Sequence, residues 1–435
     1  GTGAREGAQS LPITQVFNSG LKNPSTKIIS VFSWLDAIDH GPEMNTFNAG
    51  VGEKPASGGR SLKVPVDENG VPTNVQLEVP IKMVWNYAGN SIVNQTGDNN
   101  ASIAILQDDT LCELIVNCDI QMTVSARYSD YVLPGTSTAE EFDIHPGSNG
   151  GPMAYGIISS QAIEPLYECR SIFDICVELS KRLGVEQEFT EGKSREDWLR
   201  ATVEATRAKD PDVPDYDAWK EMGLFRKNKG PVVSLKTFRD DPETNKLTTP
   251  SGKIEIYSDR LAAMAEKWTF GDFRPKLPGD VLTPLPEFVA TWEGSEDAKS
   301  NEKYPLQIIG HHYKQRTHST WGNVDWMQEA HPQSVWINPI DAKERGVANG
   351  DLVFVFNDRG TVKIAAKVTE RIAPGVLSLP QGAWFNPRTD AGSPSGGGDH
   401  PVDIAGSANT LTSLHPSPLA KGNAVHTTLV QVEKA

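Results

Sequence analysis

A chain of 435 residues is long enough for two domains, each with its own core. Its 38% hydrophobic and 22% charged residues are those of a folded globular protein, and no apolar run reaches the roughly 18 residues of a membrane-spanning helix. A net charge of −15 excludes a general binder of nucleic acid or anionic membranes, although a local cluster of donors can still receive an anion.

Residues 1–80 read as loop-rich, with one amphipathic stretch at 31–38. The opening Gly1-Thr2-Gly3-Ala4-Arg5-Glu6-Gly7 has no initiator Met and reads as a chain continuing from something longer. Ile81 to Asn86 predicts a short buried strand, left through the turn Gly89-Asn90-Ser91. Asn100 is expected to cap a helix over 101–107. A second buried strand runs from Cys112 to Cys118 and ends at Asp119; a helix follows from Thr123, and Tyr131 to Pro134 is a third strand. Strand, helix, strand, helix, strand is the order of a parallel α/β sheet, in which ligands sit beyond the carboxyl ends of the strands. Asn86, Asn90, Asn94 and Gln95 follow the first strand, and Asp119, Thr123 and Ser125 the second. They are site candidates, although turn formers and helix caps use the same residue types.

Residues 160–230 read as helical. Ser171 caps an amphipathic stretch stopped by Gly184, and Ser194 with Asp197 forms a capping box. Residues 226–300 read as irregular, apart from a strand at Ile254 to Tyr257. From Pro305 many short strands follow: Leu306 to Ile309, a hairpin of 351–356 and 361–368 turned by Asp358-Arg359-Gly360, then 376–379 and 428–432, with one small helix behind Asn338-Pro339. That pattern predicts a closed barrel. Between its strands lie donor-rich, carboxylate-poor clusters: His311 to Thr320, Gly382 to Asn386, Asn409 to Thr412, and Ala420 to Asn423. They suit a large polar anionic ligand, with Arg316 and Lys421 as cations inside otherwise neutral groups.

Other chemistry has little support. Cys112, Cys118, Cys169 and Cys176 form no CxxC pair and read as packed thiols. His311, His312 and His318 have no acidic or thiol partner at zinc spacing, and no serine sits in a Gly-x-Ser-x-Gly elbow. Accordingly no catalytic or metal-ligating side chain is assigned.

Several longer runs carry a family resemblance: Trp85-Asn86-Tyr87-Ala88-Gly89-Asn90, Ser125 to Pro134, Pro250 to Ser258, Ile337-Asn338-Pro339, Phe356 to Gly360, and Pro416 to Asn423. With them the chain resembles catalytic subunits of the dimethyl sulfoxide reductase family of molybdopterin oxidoreductases, over their later half. The resemblance implies a partial α/β domain with helical and irregular elaboration over residues 1–300, then a C-terminal double-psi β-barrel over 301–435. It implies reduction of dimethyl sulfoxide or a related S- or N-oxide, with molybdenum held by bis(molybdopterin guanine dinucleotide). The metal-ligating side chain and an iron–sulfur cluster are implied upstream of Gly1. An iron–sulfur electron-transfer subunit and a membrane anchor subunit are the implied partners, on the extracytoplasmic face of the bacterial cytoplasmic membrane. Carried onto this sequence, Asn86, Asn90 and Asn94 match a loop along one dinucleotide, and Asp119, Thr123, Ser125 and Asp130 a segment around its guanosine. His311, Arg316, His318, Ser319 and Thr320 match a barrel loop meeting the pterins; Trp384, Asn409, Lys421, Gly422 and Asn423 match later barrel loops. Trp384 and Tyr313 are expected to shape the substrate funnel. A folded, non-catalytic cofactor-binding fragment is the rival reading.

Overall fold

The computed structural model describes residues 11–17, 25–53, 64–146, 153–228, 233–270 and 272–435. The glycine-rich opening, including its Gly3-to-Gly7 motif, lies outside them. The chain forms two compact units, one of residues 1–25, 118–120 and 133–255, the other of residues 26–117, 121–132 and 256–435.

In the second unit six strands close a barrel: β1 (Leu306–His311), β2 (Ser334–Ile337), β3 (Leu352–Phe356), β4 (Thr361–Val368), β5 (Val376–Pro380) and β6 (Leu429–Lys434). Around the barrel the order is β2-β5-β1-β6-β3-β4, and β4 pairs back onto β2. Pairs β2/β4 and β1/β5 are parallel, and the other four are antiparallel. Alternation along β4 explains the closure. Val362, Ile364 and Ala366 point inward onto Val335, Ile337, Val355, Leu377 and Val432, while Lys363 and Lys367 stay on the outer face. The β3/β4 turn is anchored by Arg359, whose guanidinium meets Glu293 in two 2.7 Å bonds and donates to the carbonyl of Leu411 at 2.7 Å. Asn338 caps the helix Pro339–Glu344, with proline in its first turn.

Strands Met83–Tyr87, Leu114–Asp119 and Tyr131–Pro134 lie side by side in that order, joined by helices Asn99–Leu106 and Val124–Arg127. Helical crossovers are what parallel neighbours require. Two details differ from expectation. The helix is capped by Asp98, whose carboxylate accepts from the N–H of Ala101, because Asn100 turns away to donate to the carbonyl of Arg359. Met83, Trp85 and Tyr87 are exposed, since their strand forms an edge with one uncovered face.

The first unit holds an antiparallel sheet, Asp143–Pro146, Met153–Ser159 and Leu224–Asn228, that no sequence pattern announced. Its outer strand falls in a stretch read as helical. Gly156 makes the packing possible, since a Cβ there would sit 2.5 Å from Cζ2 of the fully buried Trp219. The capped helices form as expected: Ile172–Leu183 runs from Ser171 to a left-handed Gly184, and Arg195–Arg207 begins at the Ser194/Asp197 box. Ser194→Ala is expected to lower stability by about 1 kcal/mol, read from urea unfolding. Residues 254–257 form no strand, and Ile254 and Ile256 are exposed instead.

Candidate functional site

The parallel register of β1 and β5, with His311 opposite Pro380, puts two carboxyl ends on one rim of the barrel. Loops 312–320 and 381–384 therefore leave on the same side. Around them, and beside the loop after the Met83–Tyr87 strand, lies a cavity of about 750 Å³. Its walls are Ala88–Ser91, Asn94 and Gln95 from that loop, Gly310, His318 and Ser319, Gln381–Ala383, Ser407–Asn409 with Thr412, and Gly422, Asn423 and Val425, with Phe32 beside them. No lysine, arginine, aspartate or glutamate is among them. In a chain of net charge −15, this wall sets amides, hydroxyls and one imidazole among apolar groups and carries no carboxylate from the described residues.

Hydrogen bonds lock the loops together. The Asn409 amide donates to the carbonyl of Asn94 at 2.8 Å, and Asn94 Oδ1 accepts from the N–H of Phe385 at 3.0 Å. Thr412 Oγ1 donates to Asn409 Oδ1 at 3.1 Å. Trp384 Nε1 donates to the carbonyl of Ser319 at 2.7 Å. Asn90 Oδ1 accepts from both the N–H and the hydroxyl of Ser125 at 3.0 Å, while its Nδ2 is buried without a partner in the described structure. A buried amide donor in this state favours a ligand acceptor. Ser407 is aimed by Asp403, a fully buried carboxylate that accepts backbone N–H bonds from Asn386, Ala405, Gly406 and Ser407 at 2.6–3.3 Å. Burial pushes the Asp403 carboxyl up to about 6, against those four bonds.

Among the residues singled out from sequence, Asn90, Asn94, Gln95, His318, Ser319, Asn409, Thr412, Gly422 and Asn423 meet at the cavity wall. Others stand behind it. Asn86 accepts the Ser91 hydroxyl and donates to the Gly89 carbonyl and Asn117, and so shapes the loop. Ser125 supports Asn90, and Trp384 supports Ser319. Thr320 closes the 317–320 turn through its hydroxyl. His311 Nδ1 faces the Ser378 hydroxyl at 2.6 Å with its ring against Trp336; burial and then Arg316 hold its pKa below the usual value. Arg316 spends its guanidinium on the Gln381 carbonyl and Gln333, with Tyr313 stacked 5.0 Å away. Thr123 caps its helix, and Asp130 accepts the N–H of Ile115. Asp119 belongs to the other unit, where its carbonyl accepts from Gly135. Lys421 is 2% exposed, and its ammonium, without a hydrogen-bond partner in the described structure, lies over the rings of Phe270 and Trp268.

Sequence reasoning did not assign Phe32, Gln381, Ser407 or Val425 to the site. Pro380-Gln381-Gly382 at a strand end is a turn signal by which Gln381 could have been found.

Strand-end loops that enclose a cavity of this volume give the barrel rim the form of a ligand-binding site. Residues 306–429 match the molydopterin dinucleotide binding domain, and residues 23–182 match molybdopterin oxidoreductase. The chain is 46% identical over 436 residues to dimethyl sulfoxide reductase DmsA of Escherichia coli (strain K12), which covers all of this chain and 49% of that protein. It is 44% identical over 435 residues to dimethyl sulfoxide reductase DmsA of Haemophilus influenzae, again over all of this chain and 49% of that protein. The chain thus spans about half the length of these curated relatives. Acetylene hydratase from Pelobacter acetylenicus shares the fold, with a TM-score of 0.59 at 21% identity over 82% of this chain and 45% of that one. The chain belongs to the molybdopterin oxidoreductases and is related to the dimethyl sulfoxide reductases.

Proposed function

We propose that this chain binds and orients bis(molybdopterin guanine dinucleotide) in a reductase of sulfoxides or N-oxides, and that the cavity at the barrel rim takes part of that cofactor. The carrying observation is the wall itself: amides, hydroxyls, backbone groups and the His318 imidazole, with no lysine, arginine, aspartate or glutamate among the described residues, in a strongly acidic chain. Pterin and guanine edges pair with such amides, and an anionic ligand meets no fixed carboxylate there. The unpartnered Nδ2 of Asn90 also fits an acceptor-bearing ligand. Asn90, Asn94, Ser319, Asn409 and Asn423 are the residues that would hold it. Phe32 and Val425 would exclude water from its flank. When bound, the group supplies two-electron oxygen-atom chemistry, while the protein contributes binding and orientation. An iron–sulfur electron-transfer subunit and a membrane anchor complete the proposal, on the resemblance alone.

The chain, made in cells that synthesise the cofactor, is to be purified and assayed for pterin fluorescence, guanine nucleotide and molybdenum. Retention of the pterin dinucleotide is expected. Its absence overturns the reading. Retention without sulfoxide or N-oxide reduction by a reduced viologen favours the non-catalytic fragment.

A further inference from the structure

Gln381 occupies an unusual position among the cavity residues. It follows β5 directly, and its backbone is fixed on both sides: its N–H donates to the carbonyl of His311 at 3.1 Å, and its carbonyl receives Nε and Nη2 of Arg316 at 3.2 and 2.8 Å. The side-chain Nε2 then lies 3.2 Å from Nδ1 of His312 and 3.2 Å from Nδ1 of His318, whose rings are 5.5 Å apart. An amide nitrogen has two hydrogens and no acceptor capacity, so one hydrogen serves each ring only if both Nδ1 atoms are bare. His318 is held in a left-handed backbone at φ 52, and its carbonyl abuts Gly382, so its ring position is imposed by this loop.

We propose that Gln381 is a positioning residue that holds Nδ1 of His312 and of His318 as acceptors, leaving each ring its N–H at Nε2, so that His318 presents an N–H donor to the cavity. The ligand feature it selects is an acceptor, a carbonyl oxygen or a pyridine-type ring nitrogen. With the amide in this orientation, the opposite tautomer would set an Nδ1–H against an N–H. The ligand half of this inference rests on the proposed cofactor reading; the tautomer half does not.

The two parts separate experimentally. Imidazole nitrogen NMR of the 15N-histidine-labelled chain, with no cofactor added, reads the tautomers directly, and His312→Gln and His318→Gln assign the signals. Both rings are expected as Nε2–H species at neutral pH. In Gln381→Leu, which keeps bulk and removes the donor, both are expected to become tautomer mixtures. In Gln381→Glu at least one ring is expected to carry a proton on Nδ1. An Nδ1–H ring in the parent chain overturns the proposal, even if the variants do not fold. Unchanged histidine spectra in a folded Gln381→Leu chain also overturn it. Pterin retention by the parent with unchanged retention by Gln381→Leu overturns only the ligand half, whose expected loss is about tenfold, the scale of one good hydrogen bond.

Discussion

Gly382→Ala is expected to lower stability by about 3 kcal/mol or more and to abolish ligand retention at the cavity. Gly382 has φ +88, a conformation that alanine reaches only with strain. A Cβ built there falls 1.8 Å from the carbonyl oxygen and 2.3 Å from the carbonyl carbon of His318, with the N–H nitrogen of Ser319 at 3.0 Å. All three are backbone atoms, so no rotamer change relieves the contact, and the 312–320 loop must move off the barrel rim. Gly346→Ala is the matched control. Its φ is +64, and nothing lies within 4 Å of the added carbon, so only the conformational cost remains, about 1 kcal/mol. Urea midpoints of the two variants test the difference. Equal losses would show that the close approach of the two loops contributes nothing.

Lys421→Met is expected to stabilise the protein by about 2 kcal/mol at pH 7 and to remove a pH dependence that the parent chain shows. Burial pushes the Lys421 ammonium down to about 8 from 10.5, with Asp280 and Asp36 opposing and Arg274 adding to the shift. Both carboxylates are engaged elsewhere, Asp280 with His415 at 2.8 Å and Asp36 with the Arg274 guanidinium, which among the described residues leaves the ammonium the Phe270 and Trp268 rings. Between pH 8 and 10.5 the unfolded chain holds this proton more than the folded one does, so folding stability rises with pH across that window. The gap corresponds to about 3 kcal/mol, all of it a cost at pH 7. Methionine fills the same volume without the charge, and such replacements of buried charge are often stabilising. Urea unfolding at pH 7 and pH 10 reads both effects. The buried thiols, whose pKa values burial raises, oppose this trend in both chains, so the comparison is between them: a parent that gains no stability relative to the methionine variant from pH 7 to pH 10, or a methionine variant less stable at pH 7, would contradict the account.

Lys421 also illustrates what a linear motif leaves open. In sequence it is a cation inside a neutral cluster, beside Gly422 and Asn423, and reads as a partner for pyrophosphate. In the fold its neighbours line the cavity while its own side chain turns inward, because residue 421 adopts φ 50 and its loop closes through Ser417. Arg316 likewise answers a carbonyl within the protein. The asparagines were more legible. Asn90 and Asn94 follow a strand end, where an α/β sheet places its ligands, and they reach the wall. The sheet of 143–146, 153–159 and 224–228 was not legible, since its outer strand pairs across some 65 residues of mostly helical chain. Local periodicity carries no record of such a partner.

By itself the sequence determined the barrel hairpin, the capped helices and the family, because hydrophobic period, cap chemistry and long motifs are local properties. Tertiary structure alone decided which polar side chains face the cavity. That choice depends on left-handed turns at Gly382, His318 and Lys421, and on a parallel register that brings residues 311 and 380 to one rim. A side chain's direction follows from its backbone conformation and from what packs behind it, and neither is written in the residue type.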